Sequence, residues 1–343
     1  MKDLRAIVVG CGAMSATWFR AAAEIDGLRI VGLADLDRQR AAERAAEFAP
    51  DAVIEADAVA LIERVKPDLV FDIVAPEARR EIALAALQRG CHVLSEKPLA
   101  DTLAHAKELV AAAHGAGKIH AVIQNRRYIA GTRRLRRFVA SGAIGPLTAL
   151  HCDFFVGPHF GGFREEMDHV LLIDMAIHTF DMARAIAGAT PVAVYCQESN
   201  PANSWFAHGA AANAIFEFAD GAVFTYRGSW CAEGLRTNWE AAWRLIGTRG
   251  TLTWDGGEDF RAERPIESGG LICDVEPIEV APLDPNDPIG AHSGVIRDFV
   301  SAVRDGREPE TVSHENIKSL AMCFAAIESA QAGRRARVDL QEM

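Results

Sequence analysis

The chain has 343 residues, of which 50% are hydrophobic and 24% charged, a composition typical of a folded protein with about two domains. The 36 Lys and Arg residues against 47 Asp and Glu residues give a formal charge of −11, which argues against a general binder of nucleic acids or anionic membranes. No apolar run reaches the roughly 18 residues of a transmembrane helix, and the run Ala6–Val9 is too short for a signal peptide. We therefore expect a cytoplasmic protein.

The seven cysteines stand singly along the chain, and none belongs to a C-x-x-C pair. The eleven histidines include no H-E-x-x-H pattern. We therefore expect neither a disulfide framework nor a metal centre.

The first 120 residues alternate between two sequence patterns. Short runs rich in β-branched residues alternate with Ala-, Glu- and Arg-rich stretches whose apolar spacing is that of a helix. This alternation predicts βαβ units that build a parallel sheet with helices on both faces. The predicted strands are Ala6–Val9, Arg29–Leu33, Leu69–Val74, His92–Leu94 and Ile119–Ile123, and the predicted helices are Arg38–Phe48, Ala78–Arg89 and Leu103–His114.

The pattern changes after residue 122, which predicts an α/β domain over residues 1–122 and an α+β domain with a largely antiparallel sheet over 123–343. Asp220-Gly221 lies between two apolar runs and is a strong hairpin signal. Residues 265–288 are rich in Pro, Gly and Asp and are predicted to form a long loop. The other predicted elements are a strand at Leu147–Val156 and helices at Thr132–Ser141, Val170–Ile186, Ser293–Arg304 and Ile317–Ala332.

A glycine-bearing turn, GCGAMS at residues 10–15, joins the first strand to the first helix. It fits the G-x-G-x-x-G fingerprint except that Ser15 replaces the third glycine. The first glycine permits the tight turn, the second lets the backbone approach a pyrophosphate, and the third sets how closely helix and strand pack. The alternative is a glycine turn without a ligand. The residues expected to hold a dinucleotide at this helix N-terminus are Gly10, Gly12, Ala13 and Met14.

Asp35 ends the second predicted strand, at the distance of about 20 residues where the fingerprint places an acid. A carboxylate there accepts hydrogen bonds from the adenosine ribose and repels a 2′-phosphate, which favours NAD over NADP. Arg38 and Arg40 follow closely and could contact a 2′-phosphate, and Arg38 is a predicted cofactor contact.

Two pairs of polar residues lie within apolar stretches of the sequence. Glu96-Lys97-Pro98 follows the fifth strand, at the carboxyl edge where an open α/β sheet binds ligands. Asp174 and His178 are spaced i and i+4, so they share one face of a predicted, largely buried helix. Three interpretations are open. In the first, Asp174 only accepts a hydrogen bond from a buried structural histidine. In the second, His178 takes the proton of an alcohol whose oxygen Lys97 holds. In the third, Asp174 and His178 bind a metal, although two ligands are too few for a closed site.

Taken in order, the glycine turn, Asp35, Glu96-Lys97-Pro98 and Asp174-x-x-x-His178-x-x-Asp181 resemble the motifs of the Gfo/Idh/MocA oxidoreductases, the family of glucose–fructose oxidoreductase and inositol dehydrogenase. The resemblance covers essentially the whole chain. It implies a Rossmann domain, a C-terminal α+β domain whose open sheet often mediates oligomer contacts, and NAD(P)-dependent redox chemistry on sugars or cyclitols. It also implies that Lys97 contacts the substrate hydroxyl and the nicotinamide, that His178 is the acid/base, and that Asp174 positions the substrate or the histidine.

Other cofactor contacts follow from the same resemblance. Ala75-Pro76 replaces a frequent Thr-Pro, and we expect Ala75, Pro76 and Glu96 to contact the cofactor. Arg79 lies near a position at which the family frequently has a histidine. Trp18, on the first helix, is expected on the nicotinamide side.

Substrate contacts are expected at Asn125, Arg126 and Arg164. The arginines between residues 126 and 137 are interpreted first as a solvated helix face, and a phosphorylated or carboxylated substrate is the alternative.

The predicted function is hydride transfer between a nicotinamide and a hydroxyl-bearing carbon of a sugar, cyclitol or sugar derivative, with NAD favoured over NADP. The alternatives are an NAD-dependent glycoside-cleaving enzyme that oxidises its sugar transiently and a non-enzymatic dinucleotide-sensing regulator. We expect a homo-oligomer, either a dimer or a tetramer, without nucleic-acid, membrane or metal partners.

Overall fold

The computed structural model describes residues 3–266 and 271–340. Within them the chain forms two compact units. The first unit contains residues 3–128 and Pro288–Ile317, and the second contains Ile129–Asp287 and Lys318–Leu340. The division predicted at residue 122 therefore differs from the observed one, because the chain returns to the first unit after Asp287.

The first unit follows the predicted alternation of strands and helices. Its elements in chain order are β1 (Leu4–Val9), α1 (Ser15–Ala23), β2 (Leu28–Ala34), α2 (Arg38–Phe48), β3 (Val53–Glu55), α3 (Ala58–Val65), β4 (Leu69–Asp72), α4 (Pro76–Gln88), β5 (His92–Ser95), α5 (Leu103–Ala116), β6 (His120–Val122) and a 3-10 turn at Asn125–Tyr128. The strands form a parallel sheet in the order β3-β2-β1-β4-β5-β6, which is the Rossmann order. The predicted α/β class is confirmed.

The helix α9 (His292–Asp305) belongs to the first unit although it comes late in the chain. Its buried residues Val295, Ile296, Phe299 and Val300 recur at helical spacing and join the core formed by β1, β4 and α1. Phe299 lies 6.5 Å from the ring of Phe71 on β4. This packing explains why residues 288–317 group with the N-terminal part of the chain.

The second unit is α+β. Its elements are α6 (Ala130–Ala140), β7 (Leu147–Phe155), α7 (Phe163–Glu166), a π-helix (Leu171–Ala176), α8 (Ile177–Ala187), β8 (Pro191–Ser199), β9 (Ala211–Phe218), β10 (Val223–Ser229), β11 (Ala242–Gly247), β12 (Gly250–Trp254), β13 (Phe260–Pro265), β14 (Val275–Pro277) and β15 (Ala336–Arg337). The helix α10 (Ser313–Ala332) begins in the first unit and ends in the second.

The described strands of this unit form one mixed sheet in the order β14-β13-β12-β11-β7-β10-β9-β8-β15. Its pairs are antiparallel except β7 with β10, so the predicted largely antiparallel sheet is confirmed. The predicted hairpin joins β9 to β10, with Gly221 at φ +88°. Phe180 of α8 packs on the sheet, 4.8 Å from the ring of Phe216 and 5.3 Å from that of Tyr226.

The predicted loop over residues 265–288 contains the short strand β14. Residues 267–270 of that prediction lie outside the described residues. Among the helices that the structure describes, none combines the length and the apolar character that crossing a membrane requires.

Candidate active site

The glycine turn follows β1 and leads into α1, as predicted. Gly10 has a φ of +92°, and a Cβ atom there would lie 2.7 Å from the carbonyl oxygen of Ile73, so the turn requires glycine. A Cβ atom at Gly12 would meet no described atom within 4 Å, which leaves open space above the backbone. Ser15 donates its hydroxyl to the Gly12 carbonyl oxygen at 2.7 Å and so fixes the turn without the third glycine.

Asp35 follows β2 and contacts this turn. Its Oδ2 atom accepts the Cys11 N–H at 2.7 Å, and its Oδ1 atom accepts the Asp37 N–H at 2.9 Å. These two bonds hold the carboxylate at the rim of the turn. Burial, with the charge of Asp35 adding to it, raises the pKa of the Cys11 thiol to about 12, so the thiol stays neutral beside the turn.

A cavity of about 910 Å³ in the first unit joins these features. Its lining includes Gly10, Gly12, Asp35, Arg40 and Ala75. The open space at Gly12, the helix N-terminus of α1 and the fixed carboxylate fit the pyrophosphate and ribose of a dinucleotide. These groups meet the requirements of the pyrophosphate and the adenosine ribose of NAD.

The other predicted cofactor contacts are placed as follows. Arg40 lies 3.7 Å from Asp35, whereas the Arg38 guanidinium donates to the carbonyl oxygen of Ile54 at 3.5 Å. Ala75 lines the cavity, and Pro76 is the first residue of α4. Ala13 and Met14 lie directly before α1.

Glu96 and Lys97 are the partly accessible positions in an otherwise buried stretch from Val93 to Ala100. The Oε1 atom of Glu96 accepts the indole N–H of Trp18 at 3.0 Å, and its Oε2 atom accepts the Lys97 N–H at 3.2 Å. These bonds tie the turn after β5 to α1, the helix that carries the glycine turn. Lys97 thus belongs to the same end of the sheet as the cavity, as predicted.

Sequence reasoning missed His292, which begins α9. Its Nε2 atom lies 3.8 Å from Glu96 Oε1, and its Nδ1 atom lies 3.3 Å from Asn125 Nδ2. Because the Asn125 amide nitrogen is a donor, this contact assigns the proton of a neutral imidazole to Nε2, which faces Glu96. Burial lowers the pKa of His292, and Lys97 adds to the lowering against the opposing effect of Glu96. No spacing in the sequence relates His292 to Glu96, and only the return of the chain brings them together.

Asn125 occupies the 3-10 turn after β6. Its Oδ1 atom is buried and accepts no hydrogen bond from the residues that the structure describes. The arginine cluster differs from the expected solvated face, because Arg126, Arg127 and Arg133 are buried. Arg127 donates to the Glu310 carbonyl oxygen at 3.1 Å.

The second unit holds Asp174 and His178. Asp174 lies in the π-helix, and His178 lies in α8, which continues it. Most residues from Val170 to Phe180 are buried, while Ile173, Asp174 and His178 are partly accessible. Short π-helical turns of this kind are frequent at functional sites.

Asp174 is paired with Arg164, which comes from the short helix α7. The Arg164 Nε atom donates to Asp174 Oδ2 at 2.7 Å. The guanidinium also lies 5.2 Å from the ring centre of Phe160 and 4.8 Å from that of Phe163. The two predicted substrate contacts Arg164 and Asp174 therefore lie together.

Asp181, the third polar residue of the motif, has a structural position. It is buried, accepts the Ser319 hydroxyl at 2.7 Å and lies 3.8 Å from Arg184. Among the residues that the structure describes, no group of three or more His, Cys, Asp or Glu side chains is arranged to hold a metal ion.

Comparisons with known proteins agree with this geometry. The model of the oxidoreductase family with an NAD-binding Rossmann fold, GFO/IDH/MocA, matches residues 4–124, and the model of the GFO/IDH/MocA C-terminal domain matches residues 132–253. The chain is 27% identical over 341 residues to 1,5-anhydro-D-fructose reductase of Ensifer adhaerens, an alignment that covers 97% of this chain and 98% of that protein. It is also 27% identical over 343 residues to D-apiose dehydrogenase of Paraburkholderia graminis, covering 97% and 89% of the two chains.

A solved structure shares the whole fold. The crystal structure of an oxidoreductase from Agrobacterium radiobacter in complex with NAD+, L-tartaric acid and magnesium matches with a TM-score of 0.85 at 21% identity, and the match covers 98% of this chain and 99% of that one. The family models and the relatives span both units, and the first unit carries the cavity and the acid that a dinucleotide requires. This chain belongs to the Gfo/Idh/MocA family and is an NAD-dependent oxidoreductase.

Proposed function

We propose that this protein is an NAD-dependent dehydrogenase or reductase that acts on a secondary alcohol of a sugar, cyclitol or sugar derivative. Two relatives that align over nearly the whole chain are named for 1,5-anhydro-D-fructose and D-apiose, which supports a carbohydrate substrate. The observation that carries the proposal is the exposure pattern. Lys97 is partly accessible, with Glu96, in the otherwise buried stretch 93–100, and Asp174 and His178 are partly accessible, with Ile173, in the largely buried stretch 170–180. The polar side chains that alcohol oxidation needs are therefore among the few accessible positions of each stretch.

Each residue has a distinct role in this proposal. The glycine turn and Asp35 would hold NAD in the cavity, where the nicotinamide would supply the acceptor for the hydride of the hydroxyl-bearing carbon, so that a carbonyl product and a proton result. His178 accepts the hydroxyl proton, for which an imidazole is suited near neutral pH. Lys97 holds the oxygen while negative charge develops on it. Asp174 orients the histidine or a neighbouring hydroxyl, and Arg164 fixes the carboxylate of Asp174 at 2.7 Å.

Three side chains are assigned to substrate binding. The Oδ1 atom of Asn125 is a buried acceptor that a sugar hydroxyl can satisfy. The guanidinium of Arg164 lies beside the exposed rings of Phe160 and Phe163, an arrangement suited to a ring with both polar and apolar faces. Arg126 is buried in the turn that carries Asn125, and we assign it to the same group.

The position of Asp35 supports a preference for NAD over NADP. Its carboxylate is fixed by the N–H groups of Cys11 and Asp37 and lines the cavity, where it would accept ribose hydroxyls and repel a 2′-phosphate. Arg40 is the arginine that lines the cavity, and its charge is directed toward Asp35 and Asp37 at 3.7 and 3.5 Å.

The test is an absorbance screen of NAD and NADP, in both redox states, against sugars, inositols, sugar acids and their keto forms. We expect turnover with NAD that Lys97→Ala lowers about 100- to 1,000-fold, while NAD affinity changes little. Lys118→Ala, on the same unit, is the control and should retain turnover. Near-normal turnover of Lys97→Ala would sink the assignment.

The same screen separates the alternatives. Release of an aglycone from glycosides without net NADH would identify a glycoside-cleaving enzyme. Binding of NAD without turnover of any compound would favour the dinucleotide-sensing regulator. A homo-oligomer and a cytoplasmic location stay predictions, which light scattering and cell fractionation would test.

A further inference from the structure

Arg79 is a fully buried arginine at the carboxyl end of the parallel sheet. It lies in α4, and its side chain has no exposed area, nor has that of Asp72 at the end of β4. The neighbouring Arg80 is 40% exposed and pairs with Glu108 on the surface at 2.6 Å. Two consecutive arginines of one helix therefore have opposite environments, and the buried one needs a physical explanation.

The guanidinium of Arg79 joins three chain segments. Its Nε atom donates to Asp72 Oδ2 at 3.0 Å, and one terminal nitrogen donates to the Val74 carbonyl oxygen at 2.6 Å. The other terminal nitrogen donates to the carbonyl oxygen of Pro98, the residue after Lys97. Val74 lines the dinucleotide cavity, so one side chain contacts both the cavity wall and the turn that carries Lys97.

A second layer of buried polar groups supports Asp72. Ser95 lies opposite Asp72 in the pairing of β4 with β5, and Ser95 Oγ lies 3.0 Å from His120 Nε2. Burial, with the charge of Arg79 adding to it, lowers the pKa of His120 to about 3, so the imidazole is neutral and shares one hydrogen bond with the Ser95 hydroxyl. Ser95 directly precedes Glu96-Lys97, so this layer fixes the start of the turn while Arg79 fixes its end.

Stability alone does not account for this arrangement. Replacing a buried ion pair by apolar side chains is often neutral or stabilising, because desolvation of the two charges offsets their attraction. What the planar guanidinium supplies here is geometry, since it donates to one carboxylate and two carbonyl oxygens in fixed directions. Lysine in its place would keep the charge and three donors, but on a compact, rotating ammonium without the fixed directions of the guanidinium.

We propose that Arg79 is a positioning residue that acts through Lys97: anchored on Asp72, it fixes the main chain at Pro98 and so sets where the Lys97 ammonium lies relative to the cavity. The inference rests on the proposed role of Lys97. A misplacement of about 1 Å at a reacting group can lower a rate about 100-fold, so a small shift of this turn is enough to matter.

The test compares Arg79→Lys with Arg80→Lys, its exposed neighbour on the same helix. We expect Arg79→Lys to lower kcat, expressed per NAD-binding site, about 10- to 100-fold. The Kd for NAD, measured calorimetrically, should change less than about threefold. Hydrogen exchange without cofactor should accelerate over residues 93–101 in Arg79→Lys and stay unchanged in Arg80→Lys. Exchange that rises throughout the first unit, with kcat per binding site unaltered, would show a merely structural arginine and overturn the proposal.

A double-mutant cycle isolates the action through Lys97. In the Lys97→Ala background, Arg79→Lys should lower the residual rate less than about threefold, because the group that it positions is gone. If the rate losses of the two single variants multiplied in the double variant, the two residues would act independently and the inference would be overturned. Near-normal turnover of Lys97→Ala alone would instead refute the proposed catalytic role of Lys97, and the exchange experiment would still report whether Arg79 fixes the turn. Should Arg79→Lys fail to fold, the apolar pair Asp72→Leu with Arg79→Met replaces it, with the same readouts.

Discussion

The two units support their polar residues in different ways. In the first unit, Lys97 lies on a turn fixed by groups without exposed area, including Asp72, Arg79 and Ser95. In the second unit, Asp174 is held by Arg164, whose side chain is 32% exposed and comes from a helix of 4 residues. Buried groups have one set of partners, whereas exposed groups exchange partners with water at little cost.

This difference separates two tasks. The cofactor side of the reaction is the same for every substrate, and a rigid turn at Lys97 suits it. Substrates of different shape require contacts that adapt, and Arg164, which contacts only partly buried or exposed groups, can accept a new partner. We therefore expect substitutions that disturb the turn at Lys97 to change the rate and substitutions around Arg164 to change substrate affinity.

The largest effect in the second unit is expected at His178. In His178→Asn, loss of the proton acceptor should lower kcat about 10²- to 10⁴-fold. The acid limb of the kcat/KM profile should disappear with it. Steady-state kinetics from pH 5 to 9 would measure both, with the half-exposed His208→Asn as control. An unchanged profile would assign the proton to another group.

A substitution of Asp35 tests how the first unit binds the cofactor. Removing a charged acceptor of two ribose hydroxyls costs about 1.5–3 kcal/mol, so Asp35→Ala should raise the KM for NAD about 10- to 100-fold. The KM for NADP should rise less or fall, because the repulsion of a 2′-phosphate is gone. The exposed Asp51→Ala serves as control. If the ratio of the KM for NAD to the KM for NADP did not change, Asp35 would not be a ligand of the ribose.

Local sequence patterns predicted where the candidate residues at the carboxyl ends of the parallel strands lie. The glycine turn, Asp35 and Lys97 each follow a strand, and carboxyl ends of parallel strands meet at one edge of the sheet. His292 was not predictable in this way, because its place beside Glu96 depends on α9 returning to the first unit. Nor does helical spacing tell which of Arg79 and Arg80 is buried, since the choice depends on Asp72 and the Pro98 carbonyl group.

Arg164 gives the direct contrast with Arg79. Because Arg164 is partly exposed, water can replace its contact with Asp174, and Arg164→Lys should raise the substrate KM only about 10-fold or less, with kcat nearly unchanged. Kinetics with saturating NAD would measure both constants, and Arg236→Lys, an exposed arginine of the same unit, is the control. A fall in kcat as large as that expected for Arg79→Lys would contradict the division between a rigid and an adaptable side.

The last prediction concerns stability instead of turnover, namely the acid sensitivity of the buried residues next to the Lys97 turn. His120 has a pKa of about 3 in the folded protein and about 6.5 in the unfolded chain. Between these two pH values the unfolded chain is protonated at His120 and the folded protein is not. The contribution of His120 to the free energy of unfolding therefore falls as the pH is lowered from about 6.5 to 3, by at most about 1.4 kcal/mol per pH unit.

The matching variant is His120→Gln, whose amide can still donate to Ser95 but cannot titrate. Urea denaturation between pH 4.5 and 7 should show a slope of unfolding free energy against pH that is smaller by up to about 1.4 kcal/mol per unit than in the parent protein. The exposed His114→Gln should keep the parent slope. If His120→Gln kept it too, burial would not hold His120 neutral in the folded protein, and the acid sensitivity would come from other groups.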